Sequence, residues 1–273
     1  GVTMDMVNVA QVDTDISPFG LGSFATRGTL MGGNGVLAAA KDAYGQMADI
    51  AADMLKTEAS DVQCRKGMFF VKSSPETKIS FQDVASEATI RHHGAPIVGT
   101  GFYQPPTELP DPDTKKGNIS PAYPFGCQIA EVEVDPNTGQ VSVTNFVAAH
   151  DVGRAINPMA TEGQIQGGIA QGLGWTLMEN MAYQDGKMIN GDFVDYIVPS
   201  CFDIPDIKTI LVEPIEPNGP YGAKGIGEPA LNPTMAAITN AIYDATGVRI
   251  KELPVNPQKL LAEIQKLGKH VKG

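Results

Sequence analysis

Cysteine is scarce. Cys64, Cys127 and Cys201 are the only three in 273 residues, they stand far apart, and no Cys-x-x-Cys occurs. An odd, scattered set supports neither a disulfide framework nor a thiolate-bound zinc or iron–sulfur site, and a reducing, cytoplasmic compartment suits it best. Runs of basic residues are also lacking. With 20 Lys+Arg against 31 Asp+Glu the formal net charge is −11, and no Lys/Arg tract is present that could neutralise a row of phosphates, which argues against nucleic acid as a partner. The acidic residues are dispersed, as on an ordinary solvated surface. No apolar run reaches the length of a membrane span and no charged-then-apolar leader opens the chain, so neither a membrane span nor a signal peptide is expected. Gly1-Val2-Thr3 stands where a Met would begin a chain, as in a fragment or one piece of a split subunit.

What is abundant is glycine and proline, 30 and 20 residues without a repeating period, in a chain that is 42% hydrophobic. That composition describes a folded, loop-rich globular protein large enough to bury a substantial core. The pattern of elements predicts an α+β protein of two lobes, with mixed sheets and flanking helices. Residues 1–103 form the expected first lobe, 104–123 an exposed Pro-rich connection, and 124–273 the second lobe.

In the first lobe, residues 7–12 alternate Val7 and Val9, less cleanly Gln11, against Asn8, Ala10 and Val12, which predicts a short strand. A Gly-rich loop follows, and then Val36, Ala40, Ala43, Met47, Ile50 and Met54 recur at helical spacing, predicting an amphipathic helix. Residues 62–64 and 68–71 flank Arg65-Lys66-Gly67 as a hairpin would, and Ser80 is placed to cap a helix through Ala88. In the second lobe, alternation from Ala130 to Val134, turn chemistry at Asp135-Pro136-Asn137-Thr138-Gly139 and renewed alternation at Val141 and Val143 predict a β-hairpin. After Asn157-Pro158 a long helix is marked by Ile165, Ile169, Leu173, Leu177 and Met181. Its Gly163, Gly167, Gly168, Gly172 and Gly174 each cost up to about 1 kcal/mol relative to Ala, so close backbone approach must repay them. Asn232-Pro233 and Asn256-Pro257 each read as a cap followed by a first-turn proline. Lys266, Lys269 and His270 stand near the end of the last helix, where its dipole favours cations.

The least ordinary stretch runs from Tyr221 to Ala230, where Glu228 sits between Gly227 and Pro229 after Gly222 and Gly225, just ahead of a helix. Such a loop can bring backbone against a ligand and hold one carboxylate in a fixed direction; a plain Gly-rich turn with a solvated Glu is the bland alternative. A second loop, Gly20 to Gly35, feeds a helix N-terminus, where free N–H groups favour an anion and Ser23, Thr26, Arg27 and Thr29 could add donors. His150 and Asp151 are adjacent, so on a strand they point apart; Asp151 is read as structural, and His92-His93 receives no role.

Gly225-Ile226-Gly227-Glu228-Pro229, followed by Asn232-Pro233-Thr234-Met235 and later Gly247-Val248-Arg249-Ile250, resembles the C-terminal signature of the molybdenum hydroxylases, the xanthine dehydrogenase and aldehyde oxidoreductase family. Two more stretches are similar to that family in the same order: Gly22-Ser23-Phe24-Ala25-Thr26-Arg27-Gly28-Thr29, and Asp151-Val152-Gly153 with Asn157-Pro158 and Gly163-Gln164-Ile165. The resemblance implies that Glu228 is the catalytic base. It also implies that Gln164, Ser23, Ala25, Thr26, Arg27, Lys224, Gly225, Ile226 and Gly227 contact a molybdenum-molybdopterin cofactor, in its cytosine dinucleotide form, with no protein side chain ligating the metal. The implied reaction is hydroxylation of an N-heterocycle, purine or nicotinate-like, or of an aldehyde, with water as the oxygen source. Iron–sulfur clusters and FAD are then expected on partner chains, an iron–sulfur subunit and a flavin subunit, beside an upstream molybdopterin-binding piece that completes the pocket. A module that keeps the pterin site without turnover is the competing expectation.

Overall fold

A computed structural model describes residues 1–10, 12–15 and 17–268. The backbone divides into two compact units, Gly1–Ser23 with Met31–Pro105, and Phe24–Leu30 with Pro106–Gly273.

The first unit is organised on helix α1, Gly33–Leu55, which is led into by a π-helical turn, Gly28–Gly32. Its second half buries Met47, Ala48, Ile50, Ala51 and Ala52 against Val62, Phe69, Val84 and Ala88. The expected stripe is thus half right, since Val36 and Ala40 are exposed. The first half of α1 is covered by glycines instead: a Cβ on Gly99 would lie 2.2 Å from the Ala39 carbonyl oxygen, and one on Gly101 2.4 Å from the Ala39 nitrogen. Strands β1, Val62–Arg65, and β2, Met68–Val71, form the predicted hairpin. A third strand, β3, Ser74–Ser80, completes the sheet, and its mostly exposed Ser-Pro-Glu-Thr-Lys carries no alternation that sequence could register. Ser80 caps helix α2, Phe81–Arg91, accepting the Asp83 N–H as expected. The strand predicted at 7–12 is a correction: residues 7–10 and 12 form no regular element, and Val9 and Val12 are exposed. Alternation alone does not make a strand without a neighbour to pair with; Gln11 lies outside the described residues.

In the second unit, residues 106–125 contain neither helix nor strand, and the Pro-rich tract from 104 to 123 is accordingly irregular and largely exposed. Strands β4, Gly126–Val134, and β5, Val141–Asp151, form the predicted hairpin around Asp135, whose carboxylate accepts from the Asn137 amide and the Thr138 hydroxyl. After β5 comes α3, Pro158–Leu177, capped by Asn157, and then a two-residue hairpin, β6 Tyr183–Gln184 and β7 Lys187–Met188. Strand β8, Asp206–Val212, returns parallel to β5 and gives the order β4-β5-β8. Helices α4, Thr234–Thr246, and α5, Pro257–Lys266, follow. One face of the sheet supplies Phe146 and Ala148 to a core shared with Ile165, Ile169 and Leu173 of α3, Ile238 and Ile242 of α4, and Leu260 and Ile264 of α5.

The glycines of α3 make this packing possible. A Cβ on Gly168 would meet Ala230 at 2.7 Å and one on Gly172 would meet the Thr234 side chain at 2.6 Å, so α3 lies directly against the turn before α4 and against its first residue. Two boundaries differ from expectation. Helix α3 stops at Leu177, short of Met181. Helix α4 begins at Thr234 with Pro233, already in αR backbone, in the cap position in place of Asn232, and proline has no side-chain group to cap with. Asn256 does cap α5, accepting from Lys259. Lys266 pairs with Glu263 in the last turn, while Lys269 and His270 lie outside the described residues. Among the described residues no helix is long and apolar enough to cross a membrane.

Candidate active site

The end of β5 builds the foundation of the Glu228 loop. Past Asp151 the chain pairs with residues 222–224: Gly153 bridges Ala223, the Lys224 amide donates to the Val152 carbonyl at 2.9 Å, and the Arg154 amide to Gly222 at 2.8 Å. Two left-handed residues shape this approach, Gly153 at φ 58 and Gly222 at φ 86. A Cβ on Gly153 would sit 2.4 Å from the Gly222 carbonyl oxygen, so only glycine fits.

Lys224 lies at the centre of this foundation. Its Nζ donates to Asp151 Oδ2 at 2.6 Å and to the Tyr123 carbonyl at 3.1 Å, with Glu216 Oε2 at 4.0 Å. The side chains of Lys224, Asp151 and Glu216 are each 10% exposed, so the pair is held in a poorly solvated site where its hydrogen bonds must be nearly complete. Asp151 also accepts the Gly153 N–H through Oδ1. Asp151 is structural, as its sequence setting suggested. The Lys224 ammonium is committed to this pair, so its side chain acts as a pillar of the loop.

A second support lies beyond Glu228. Gln128, on the core face of β4, donates from Nε2 both to the Ala230 carbonyl at 2.7 Å and to His150 Nε2 at 2.9 Å, while its Oε1 accepts from the Thr234 hydroxyl at 2.7 Å. The orientation is fixed, because turning the amide over would set two carbonyl oxygens against each other. His150 must then be the tautomer that accepts at Nε2, and its buried Nδ1–H has no partner among the described residues. Burial pushes the imidazole below its ordinary value, which favours this neutral form. A Cβ on Gly126 would press within 2.5 Å of that ring. Sequence reasoning missed Gln128, His150 and Thr234 as a set; the available signal was a polar side chain on the core-facing register of a strand, at Gln128 opposite Ala148.

Between these supports, Glu228 is exposed at the tip. The Thr26 hydroxyl donates to its Oε2 at 2.8 Å and accepts its backbone N–H at 3.0 Å. Thr26 belongs to the short segment Phe24–Leu30 that packs within the second unit. The same segment explains Gly225, whose Cβ would fall 2.1 Å from the Thr26 carbonyl oxygen. Ala25 and Thr26 both take left-handed backbone, φ 48 and φ 57.

The remaining candidates are distributed as follows. Ile226 is half-buried against the core of the second unit and Gly227 is exposed. Arg27 lays its guanidinium 5.0 Å from the centre of the Phe24 ring. Gln164 is exposed near the start of α3, between Gly163 and Gly167, where an added Cβ would meet nothing within 4 Å. Ser23 is exposed and falls in the first unit. No group of His, Cys, Asp and Glu among the described residues could by itself hold a metal ion.

Residues 1–205 match the molybdopterin cofactor-binding domain family. Over 272 residues the chain is 31% identical to the gamma subunit of the 6-hydroxypseudooxynicotine dehydrogenase complex of Paenarthrobacter nicotinovorans, covering 98% of this chain and 33% of that protein. It is 33% identical over 274 residues to the xanthine dehydrogenase molybdenum-binding subunit of Escherichia coli O157:H7, covering 98% and 35%. In structure it resembles quinoline 2-oxidoreductase from Pseudomonas putida 86 with a TM-score of 0.79 and 29% identity, over 92% of this chain and 32% of that one. The chain belongs to the molybdopterin cofactor-binding domain family, as the three ordered motifs implied, and it spans about a third of the length of these relatives.

Proposed function

We propose that this chain is the part of a molybdenum hydroxylase that carries the catalytic base, Glu228, and one side of the cofactor pocket. The observation that carries the proposal is the pose of Glu228: Oε2 and the backbone N–H are both bound by Thr26, while Oε1 accepts no hydrogen bond among the described residues and stands at an exposed tip. A carboxylate fixed in this way is suited to take one proton from a defined direction.

The residues fit a molybdenum-molybdopterin group. Gly168 and Gly172 are explained by helix packing, but Gly163 and Gly167 face open space, and a bare helix surface beside an exposed Gln164 suits close approach by a ligand. Gln164 can donate and accept through its amide. Arg27, with the backbone of Ala25 and of Gly225 to Gly227, borders the loop that carries Glu228 and would contact the cofactor, which we take to be the cytosine dinucleotide form. When bound, the group supplies the two-electron oxidising chemistry, and the chain supplies position, charge and proton transfer. Glu228 removes the proton of the water-derived hydroxyl whose oxygen enters the substrate, leaving Thr26 and the two supports below it unchanged.

The substrate class follows the relatives, whose names include dehydrogenases of xanthine and 6-hydroxypseudooxynicotine and an oxidoreductase of quinoline. An electron-poor carbon of an N-heterocycle fits best, with aldehydes as the second class. Electrons leave to iron–sulfur and flavin groups on partner chains of a cytoplasmic complex, and an upstream molybdopterin-binding portion closes the pocket. A positioned general base contributes roughly 100- to 10,000-fold in rate. Glu228→Gln in the assembled enzyme should therefore lose turnover by that factor while molybdenum content stays near wild type. Turnover within about threefold of wild type would remove Glu228 from the role of base.

A further inference from the structure

We infer that Thr26 is a positioning residue for Glu228, its hydroxyl selecting which carboxylate oxygen remains available to take the proton. The inference rests on the reading of Glu228 as the base, and it gives Thr26 a different task from the phosphate contact its loop motif suggests.

The geometry is reciprocal. A hydroxyl has one proton to give, and Thr26 gives it to Glu228 Oε2 at 2.8 Å while its oxygen accepts the Glu228 N–H at 3.0 Å. Side chain and main chain of the same glutamate are thereby clamped to one atom, which fixes the side-chain torsions between them. Oε2 is occupied and Oε1 has no hydrogen-bond partner among the described residues, so the carboxylate presents Oε1 as its open basic atom. Hydrogen bonds to an ionised group are about twice as strong as neutral ones, so the clamp is strongest on the charged, proton-accepting form.

The backbone of Thr26 points the same way. At φ 57 it is left-handed, a conformation that glycine or asparagine adopts readily and a β-branched residue resists. Ala25 before it is strained similarly at φ 48. A strained threonine where glycine would fit at no cost indicates that its side chain is what the site requires. Gly225 makes the reverse accommodation, giving up any Cβ so that the Thr26 carbonyl can lie against it. These two loops are shaped to bring one hydroxyl to one carboxylate.

The test uses the complete enzyme that contains this chain. Thr26→Val removes the hydroxyl and keeps the shape, and Thr26→Gly removes the hydroxyl while relieving the backbone, so at least one should assemble. Both should lower kcat by about 10- to 100-fold, the scale of one hydrogen bond to a charged group, with KM changed by less than about twofold and molybdenum content retained. Thr26→Ser should return kcat to within about threefold of wild type. In a Glu228→Gln background Thr26→Val should cost nothing further, because both substitutions act on one proton transfer. The inference is overturned if Thr26→Gly keeps wild-type kcat, if Thr26→Ser is as impaired as Thr26→Val, or if the loss persists unchanged beside Glu228→Gln. Failure of the base reading itself shows separately, as an active Glu228→Gln enzyme.

Discussion

Replacing Lys224 by Met tests whether the Glu228 loop stands on the Asp151 pair. The substitution keeps most of the side-chain volume and deletes the ammonium that lies 2.6 Å from Asp151 Oδ2 and 4.0 Å from Glu216 Oε2. What remains is a pair of carboxylates, each 10% exposed, with no cation between them. Removing one partner of a buried pair costs about 3–5 kcal/mol, most of it the stranded charge. For a unit of this size each kcal/mol lowers Tm by about 2–4 °C, so a fall of about 6–20 °C is expected by calorimetry on the full chain. Asp151→Asn added to Lys224→Met removes one stranded charge and still leaves an oxygen to accept the Gly153 N–H, so it should restore part of the loss. Restoration stays partial because Glu216 keeps its charge. A coupling of at least about 2 kcal/mol between the two positions is the expected signature of the pair. Additive costs, with Lys224→Met losing under about 1 kcal/mol in either background, would refute the view of Lys224 as a buried pillar.

The glycines of α3 should separate into two kinds. Gly172→Ala, whose Cβ would meet Thr234 at 2.6 Å, should destabilise the chain by about 1–3 kcal/mol in denaturant unfolding. Gly167→Ala, with nothing within 4 Å, should stabilise the cofactor-free chain by up to about 1 kcal/mol and yet weaken retention of the pterin, read as pterin content after gel filtration. His150 gives a pH prediction: burial holds its folded-state value below the unfolded one of about 6.5, so its contribution is fully present above that pH and is lost as pH falls beneath it. His150→Gln should flatten the stability slope between about pH 6.5 and 5 relative to wild type, and an unchanged slope would mean that the imidazole is not buried neutral.

The fold was legible where a periodicity and a cap coincided. Ser80 and Asn256 each cap the helix their position announced, and Asp135 turns the hairpin that its motif specified. It was illegible where a partner decides the outcome. Residues 7–12 alternate like a strand in sequence, yet 7–10 and 12 join no strand among the described residues, whereas Ser74–Ser80 shows little alternation and is a strand because β2 lies beside it. Val36 and Ala40 continue the period of α1 onto a surface that the core does not reach. In the site, Glu228 and Gly225 could be singled out because an acid among glycines is rare chemistry. The hydroxyl of Thr26 on that acid could not be foreseen, since 202 residues separate the two and no local pattern records the meeting. Gln128 and His150 were hidden for the same reason, each ordinary alone and informative only as a pair.

The supports around Glu228 divide the work by sequence distance from it. Lys224, four residues before, is tied to Asp151; Gly225, three before, lies against Thr26; Ala230, two after, is held by Gln128. Each tether uses a different interaction, namely an ion pair, a steric fit and a neutral hydrogen bond, and each ends on a different element. No single substitution among them releases the whole loop, but each removes one direction of constraint. The carboxylate is therefore positioned before any cofactor or substrate arrives, so if Glu228 is the base, as we propose, binding energy is not spent on ordering it. This arrangement ties Lys224 and Thr26, two residues that their motifs suggested would face the cofactor, to the loop and the carboxylate of Glu228, the residue we propose as the base.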